Sequence, residues 1–137
     1  MIIVMLSALA ACADEKKQES TIGSIDVDLT KLSRTMVYSE VYNMMYTPDD
    51  YIGKTVKMKG QFAHYEDPDT KVQYFACIIA DAAACCSQGL EFILNGEHTY
   101  PNDYPETGSE ITVTGIFEVY EERGVQYCRL VNAAFVS

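Results

Sequence analysis

TVKMKGQFAHY, residues 55–65, alternates apolar with polar side chains, as expected of a β-strand that buries only one face. A glycine in the middle of such a strand predicts a bulge or a sharp bend. ITVTGIF, residues 111–117, repeats the alternation around a second central glycine. Because long strands bent at glycine let a small sheet close on itself, the two stretches together predict a small β-barrel.

Three further strands and one helix are predicted around these two stretches. The remaining strands are predicted at residues 71–81, 90–94 and 125–136. Residues 95–109 contain two prolines and two glycines and predict a long loop. Residues 35–47 carry apolar side chains at helical spacing and are followed by Pro48, which predicts a helix. We interpret its Met and Tyr side chains as core packing; they are Met36, Tyr38, Tyr42, Met44, Met45 and Tyr46.

Residues 50–137, approximately, resemble OB-fold proteins. The resemblance lies in a Gly-Lys turn at residues 53–54, in V-x-M-x-G-x-F at residues 56–62 and in I-x-V-x-G-x-F at residues 111–117. It implies a mainly β fold, a small five-stranded OB-like barrel with one N-terminal helix at about 35–47. The chain departs from the family where the proline-bearing loop replaces the helix that usually joins the third and fourth strands.

The N-terminus predicts export and lipidation. Residues 1–11 form an uncharged apolar run that is too short to span a membrane but suits a signal peptide. It ends in Leu9-Ala10-Ala11-Cys12, which resembles the bacterial lipobox and implies a lipid on Cys12. No Lys or Arg precedes Cys12, which departs from the usual pattern, and the alternative is a buried N-terminal element. Polar residues 12–24 then form a flexible tether, and residues 25–137 form a single domain.

Charge narrows the class of partner. The chain carries 20 Asp and Glu against 10 Lys and Arg, a formal net charge of −10. Proteins bind nucleic acid by neutralising phosphates with Lys and Arg, so we expect no nucleic-acid partner. A cation, a neutral ligand or an envelope protein is more compatible with this charge, besides the membrane reached by the lipid anchor.

The cysteines carry the clearest chemical pattern. Apart from Cys12 they are Cys77, Cys85, Cys86 and Cys128. An even number of cysteines in an exported protein predicts disulfides. The adjacent Cys85 and Cys86 would then each need a separate partner. The same thiols, with His64 or Asp81, are also candidate ligands of zinc or copper. Cys77 and Cys128 lie in predicted strands and could also be plain buried side chains. A redox thiol site is a further interpretation, and the sequence leaves all of these open.

Residues 75–89 carry a second resemblance, to OB-like extracytoplasmic domains of uncharacterised bacterial permease-associated proteins. It covers about 40 residues around the Cys-Cys pair and implies no chemistry.

Carboxylate pairs at Asp49-Asp50 and Glu121-Glu122 fall in predicted turns, where we expect solvated charges. The polar loop residues are expected to be surface groups rather than cation ligands; they are Glu97, His98, Asp103 and Glu106.

We therefore expect a lipid-anchored, extracytoplasmic binding or accessory module without enzymatic activity. In this interpretation the module binds a metal or small ligand through the Cys-Cys stretch. The alternative is a protein-interaction or structural module of the cell envelope that is stabilised by disulfides. The sequence contains neither G-x-S-x-G nor GxxxxGK[ST], so no nucleophile elbow or phosphate loop points to a reaction.

Overall fold

A computed structural model describes residues 23–80 and 87–137 of the chain. They form six strands and one helix: β1 (Val27–Asp28), α1 (Arg34–Tyr46), β2 (Thr55–Glu66), β3 (Gln73–Ala80), β4 (Ser87–Leu94), β5 (Glu110–Glu122) and β6 (Val125–Phe135). The predicted helix and the five predicted strands are confirmed, and the two-residue strand β1 was not predicted. The predicted signal peptide and nearly all of the predicted tether lie outside the described residues.

The strands close into a ring. Their order is β1-β2-β3-β4-β6-β5, and β2 pairs with β5 as well as with β3. All pairs in the ring are antiparallel except the parallel pair β4–β6, and β1 runs parallel to β2 outside the ring. The architecture is a small, mainly β, OB-like barrel of five long strands, as the two glycine-centred stretches predict.

β2 changes partners at its central glycine. Residues 55–61 of β2 pair with β5, and residues 61–66 pair with β3. At Gly60 an added Cβ would lie 2.4 Å from the carbonyl oxygen of Ile78 and 3.0 Å from the sulfur of Cys77. Only glycine fits there, because the bend brings the β3 backbone against β2.

Apolar side chains from every long strand fill the barrel. The three largest fully buried residues are Phe62, Phe92 and Phe117, which come from β2, β4 and β5. Burial of apolar surface of this kind is the main force that stabilises such a domain. The loop over residues 95–109 adds two aromatic residues to this core: Tyr104 stacks on Phe75 with 4.0 Å between ring centroids, and Tyr100 stacks on His64 at 3.8 Å.

Helix α1 is capped by Ser33, whose side chain accepts a hydrogen bond from the amide of Met36. It buries Val41 and Met44 against the sheet. The prediction that its Met and Tyr stripe packs in the core is wrong for four of the six residues: Met36, Tyr42, Met45 and Tyr46 are exposed. The helix rests on the sheet along one narrow face, so side chains one quarter-turn away reach solvent. Among residues 23–80 and 87–137, α1 included, no helix is long and apolar enough to span a membrane.

Candidate functional site

Two hairpins carry the candidate site, and local sequence shapes each turn. The first hairpin joins β2 to β3, and there the Asp67 carboxylate accepts hydrogen bonds from the amides of Asp69 and Thr70 at 2.8 and 3.0 Å. These bonds hold the pKa of Asp67 below its ordinary value. The second hairpin joins β5 to β6 through Arg123 and Gly124, both with positive φ, as tight two-residue turns require.

The two hairpins meet through polar contacts. The Tyr74 hydroxyl on β3 donates a hydrogen bond to Glu122 of β5 over 2.7 Å. The Arg123 guanidinium lies 3.5 Å from the Asp67 carboxylate. Each contact links one hairpin to the other, so together they fix the distance between the two turns.

A groove of about 470 Å³ lies beside this junction, and we call it the hairpin groove. It is lined by parts of four strands and of the long loop, including Tyr74 and Phe75 of β3, Glu91 of β4, His98 and Tyr104 of the loop, Tyr120 and Glu122 of β5, and Arg129 of β6. Clefts that bind small molecules usually have volumes of about 300–1,000 Å³ and combine aromatic walls with a few polar groups. The hairpin groove has that size and that composition.

Glu91 is the half-buried carboxylate of the hairpin groove. Burial raises its pKa, while a hydrogen bond from the Tyr120 hydroxyl and the charge of Arg129 oppose the shift. Arg129 is itself held by Glu118, whose carboxylate lies 2.7 Å from Nε, and its guanidinium lies 4.1 Å from the Tyr120 ring centroid. Burial, followed by the bond to Glu91, in turn raises the pKa of Tyr120. The site therefore holds a desolvated carboxylate next to an ordered phenol and an already paired cation.

Four tyrosines line a second cavity of about 280 Å³, and we call them the tyrosine quartet: Tyr65, Tyr74, Tyr120 and Tyr127. Tyr65 faces Tyr74 across the first hairpin with 6.2 Å between ring centroids, and Tyr120 faces Tyr127 across the second at 5.6 Å. The cavity shares four lining residues with the hairpin groove, Tyr74, Glu91, Tyr120 and Glu122. A ligand in one cavity therefore contacts groups that also line the other.

The predicted cysteine site falls only partly within the described residues. Cys85 and Cys86 lie outside them, as does Cys12, while Cys77 and Cys128 are free thiols. Cys77 is fully buried opposite Leu90 of β4, and burial raises its pKa to about 12. Cys128 lies on β6, at the far side of β4, so two strand spacings of about 4.8 Å separate the two backbones. The two predicted ligands therefore lie on strands that are not paired with each other.

Metal binding through the four cysteines stays a prediction. In the described part of the chain, no group of three or more His, Cys, Asp or Glu side chains is placed to hold a metal ion. His64 is engaged otherwise, since its Nε2 lies 2.8 Å from the amide oxygen of Gln73 and its ring stacks on Tyr100. Asp81 lies outside the described residues.

The hairpin groove was not predicted from the sequence. Glu122 was predicted to be a solvated turn charge, and this is wrong, because β5 continues through Glu122 and its carboxylate accepts the Tyr74 hydrogen bond. Asp49 and Asp50 are exposed in a 3₁₀ turn, as predicted. The useful signal was the placement of one tyrosine on each side of both hairpin turns, at residues 65 and 74 and at residues 120 and 127.

No protein-family model matches the chain, and no curated protein sequence matches it significantly. A similar solved structure is that of a "putative nucleic acid-binding lipoprotein" from Klebsiella pneumoniae subsp. pneumoniae MGH 78578. It is 21% identical, with a TM-score of 0.45, over 70% of this chain and 81% of that chain. A similarity of this size supports no statement about what the present chain binds.

Proposed function

We propose that this protein is a lipid-anchored extracytoplasmic binding module that holds a small polar organic ligand in the hairpin groove and catalyses no reaction. The observation that carries the proposal is the groove itself, about 470 Å³ in volume, with aromatic walls and the half-buried carboxylate of Glu91. Tyr120 already donates one hydrogen bond to Glu91, and a carboxylate has about four acceptor positions, so a ligand in the groove can donate further hydrogen bonds to it.

The position of the groove on the barrel supports the proposal. In OB folds, ligands bind on the face of the second and third barrel strands, between the loops that follow the first and the fourth. Here those strands are β3 and β4, and those loops are the two hairpin turns. The groove lies at this place on the barrel. Its position follows from the fold alone, and the side chains that line it determine which ligand it can bind.

The side chains favour a small ligand over a nucleic acid. Glu91, Glu121 and Glu122 line the groove with Arg129 as the basic residue, and Arg129 is already paired with Glu118. A phosphate backbone would meet carboxylates there, and the net charge of −10 would repel it further. Phenol hydroxyls and carboxylate oxygens instead suit a ligand that donates hydrogen bonds.

The lipid anchor sets where the module acts. The Leu9–Cys12 stretch supports lipidation, and the polar residues after it support a tether that leaves the barrel free of the bilayer surface. Two acyl chains or more anchor a protein firmly, because each buried CH₂ contributes about 0.8 kcal/mol. In this proposal the module collects or presents its ligand outside the cytoplasmic membrane.

A ligand screen with groove variants tests the proposal. The full chain, purified in detergent, is screened by thermal shift against amines, sugars, amino acids and organic acids, and each hit is measured by calorimetry. We expect the affinity of each hit to fall at least tenfold in Glu91→Gln and in Tyr120→Phe. The affinity should be unchanged in Tyr42→Phe, which alters an exposed tyrosine of α1. Hits that bind all three variants equally, or no hit at all, would contradict the proposal.

A further inference from the structure

We propose that the tyrosine quartet, with Glu91 and Glu122, binds the ammonium group of an organic cation. The proposal rests on the proposed binding function of the hairpin groove and adds to it the chemical class of the ligand. It is carried by three features of the 280 Å³ cavity: its four aromatic rings, its excess of carboxylates and its opening onto the wider groove.

The rings are of the kind that attracts cations. The face of a tyrosine ring carries partial negative charge, and ammonium groups within about 6 Å of ring centroids are stabilised by it. The same site already shows such a contact, because the Arg129 guanidinium lies 4.1 Å from the Tyr120 ring centroid. Arg129 is paired with Glu118 and covers Tyr120, and no Lys or Arg among the described residues lies over the rings of the other three tyrosines.

Charge in the cavity favours a cation. Its lining includes the three carboxylates of Asp67, Glu91 and Glu122 and the single guanidinium of Arg123. Arg123 lies 3.5 Å from Asp67, and Arg129, whose charge also acts on Glu91, is paired with Glu118, so carboxylates still outnumber guanidinium groups around the cavity. Opposite charges attract, and more strongly at the half-buried Glu91 than at an exposed carboxylate, so an ammonium group between Glu91 and Glu122 would be stabilised.

The hydrogen bonds leave room for that group. Tyr74 donates one bond to Glu122, and Tyr120 donates one to Glu91. A carboxylate has about four acceptor positions on two oxygens, so each of these keeps capacity for an ammonium N–H. The phenols orient the two carboxylates before the ligand arrives, which lowers the entropy lost on binding.

The shape of the site suggests how the rest of the ligand lies. A cavity of about 280 Å³ holds an ammonium head, and the shared lining residues connect it to the groove of about 470 Å³. The groove is walled by Phe75 and Tyr104 as well as by polar groups. An amine with a short aliphatic or polar chain fits this arrangement, with its head in the quartet and its chain along the groove.

Matched probes test the inference with the full chain in detergent at low salt. Putrescine and choline are the ammonium probes, 1,4-butanediol is a neutral probe with the same carbon chain as putrescine, and adipate is the anionic one. We expect calorimetry to show putrescine and choline binding at least tenfold more tightly than butanediol and adipate. We further expect affinity to fall at least fivefold in Tyr127→Leu and in Glu122→Gln.

The helix supplies the matched control. Tyr42 and Tyr46 of α1 stack with the same 5.6 Å centroid distance as Tyr120 and Tyr127, but they lie outside the site. Tyr46→Leu therefore removes an exposed stacked tyrosine of the same kind, and we expect it to leave putrescine affinity unchanged. Circular dichroism of each variant establishes that the barrel is folded before affinities are compared.

Each outcome decides between the two proposals. If the ammonium probes bind no better than butanediol while a neutral hit from the screen is sensitive to Glu91→Gln, the inference is overturned and the binding function stands. If putrescine binds but Tyr127→Leu and Glu122→Gln bind it as well as Tyr46→Leu does, the site is wrong. If neither the probes nor any compound of the screen binds, both proposals fail.

Discussion

Tyr74 of β3 donates a hydrogen bond to Glu122 of β5 over 2.7 Å, and this contact joins the two hairpins although the residues lie 48 positions apart in the chain. Glu122 also raises the pKa of Tyr74 to about 12, chiefly through this bond, so the phenol stays protonated and remains a donor near neutral pH. The distance between the hairpins, and with it the geometry of both cavities, depends on this pair.

We expect Tyr74→Phe to loosen the second hairpin without unfolding the barrel. The substitution keeps the ring and removes only the donor, so Glu122 loses its partner on the first hairpin. Amide hydrogen exchange over residues 119–128 should become a few times faster, while exchange in the core of β2 stays the same. Tyr65→Phe is the control, since the Tyr65 hydroxyl makes no hydrogen bond with another residue of the described ranges. Equal exchange in Tyr74→Phe and wild type would show that the pair does not hold the hairpins together.

We expect Gly60→Ala to destabilise the barrel severely. An added Cβ would lie 2.4 Å from the Ile78 carbonyl oxygen, and this backbone atom can move only if β2 and β3 separate. Overpacking typically costs about 1–3 kcal/mol, and contact with backbone puts this substitution at the upper end or beyond. Urea unfolding monitored by circular dichroism measures the loss. Gly23→Ala is the matched control, because no atom of residues 23–80 or 87–137 lies within 4 Å of its added Cβ.

We expect Tyr104→Ala to cost about 2–4 kcal/mol of unfolding free energy, since it removes a large partly buried ring and its aromatic pairs. Tyr104 stacks on Phe75 at 4.0 Å and on Phe62 at 5.9 Å, which attaches the loop of residues 95–109 to the core. Thermal and urea unfolding measure the effect. Tyr42→Ala on the exposed face of α1 should change stability by about 0.5 kcal/mol or less. A loss as small for Tyr104→Ala would mean that the loop is not part of the core.

We expect Glu91→Gln to change how stability depends on pH. Burial raises the folded-state pKa of Glu91 above its ordinary value of 4.5, so the folded protein binds the proton more tightly than the unfolded chain does. Wild-type stability must then fall as pH rises from about 4.5 through the raised pKa, relative to the variant. The groups that face Glu91 are Tyr120, Arg129 and Glu122, and they are present in both proteins.

Urea unfolding of both proteins from pH 4 to pH 8 measures this difference. The carboxyls of Asp28 and Asp67, whose pKa values are lowered, act in the opposite direction below about pH 4, and their contributions cancel in the comparison. If wild type and Glu91→Gln keep a constant difference across the range, Glu91 is not desolvated. A difference that grows in favour of wild type with rising pH would show that its pKa is lowered instead.

We expect Cys77 to react with thiol reagents far more slowly than Cys128. Cys77 is fully buried and its pKa is raised to about 12, whereas Cys128 is only partly buried. Since the thiolate is the reactive form, a buried neutral thiol reacts only when the barrel opens. Maleimide labelling of the Cys85→Ser/Cys86→Ser double variant, read by mass spectrometry, measures the two rates. Labelling of Cys77 as fast as Cys128 would contradict its burial.

Metal analysis of the wild-type chain in the same experiment tests the predicted cysteine ligands. A metal site at Cys85 and Cys86 predicts about one equivalent of zinc or copper in protein purified without chelator, and its loss in the double variant. Two disulfides predict instead that no thiol of the native protein is free. Free thiols at Cys77 and Cys128 with no bound metal would exclude both interpretations for these residues.

Local patterns in the sequence predicted most of the elements. Alternation in β2 and β5 and the two mid-strand glycines predicted bent strands, and the apolar run through β3 predicted a central one. Pro48 predicted the end of the helix within two residues. The pattern did not say which helix residues face the sheet, because apolar side chains cover more of the α1 surface than the sheet can bury. Tyr46, with 76% of its surface exposed, shows the difference.

The candidate site depended on register. Tyr65 and Tyr74 face each other because β2 and β3 pair with Glu66 opposite Gln73, and Tyr120 faces Tyr127 because β5 pairs with β6. A shift of one residue in either pair would turn these rings to the other side of the sheet. The turns set both registers, and tertiary packing then brings the hairpins together.

By itself, the sequence determined the fold class, the bent strands and the acidic character of the protein. These follow from side-chain period, glycine placement and composition, which act over a few residues or over the whole chain. Only the tertiary structure decided that Tyr74, Glu91, Tyr120 and Glu122 line the same two cavities and that Cys77 and Cys128 lie on strands that do not pair with each other. The reason is that pairing of β2 with both β3 and β5 brings together residues far apart in sequence, and the local patterns that predict a barrel do not specify which residues meet across it.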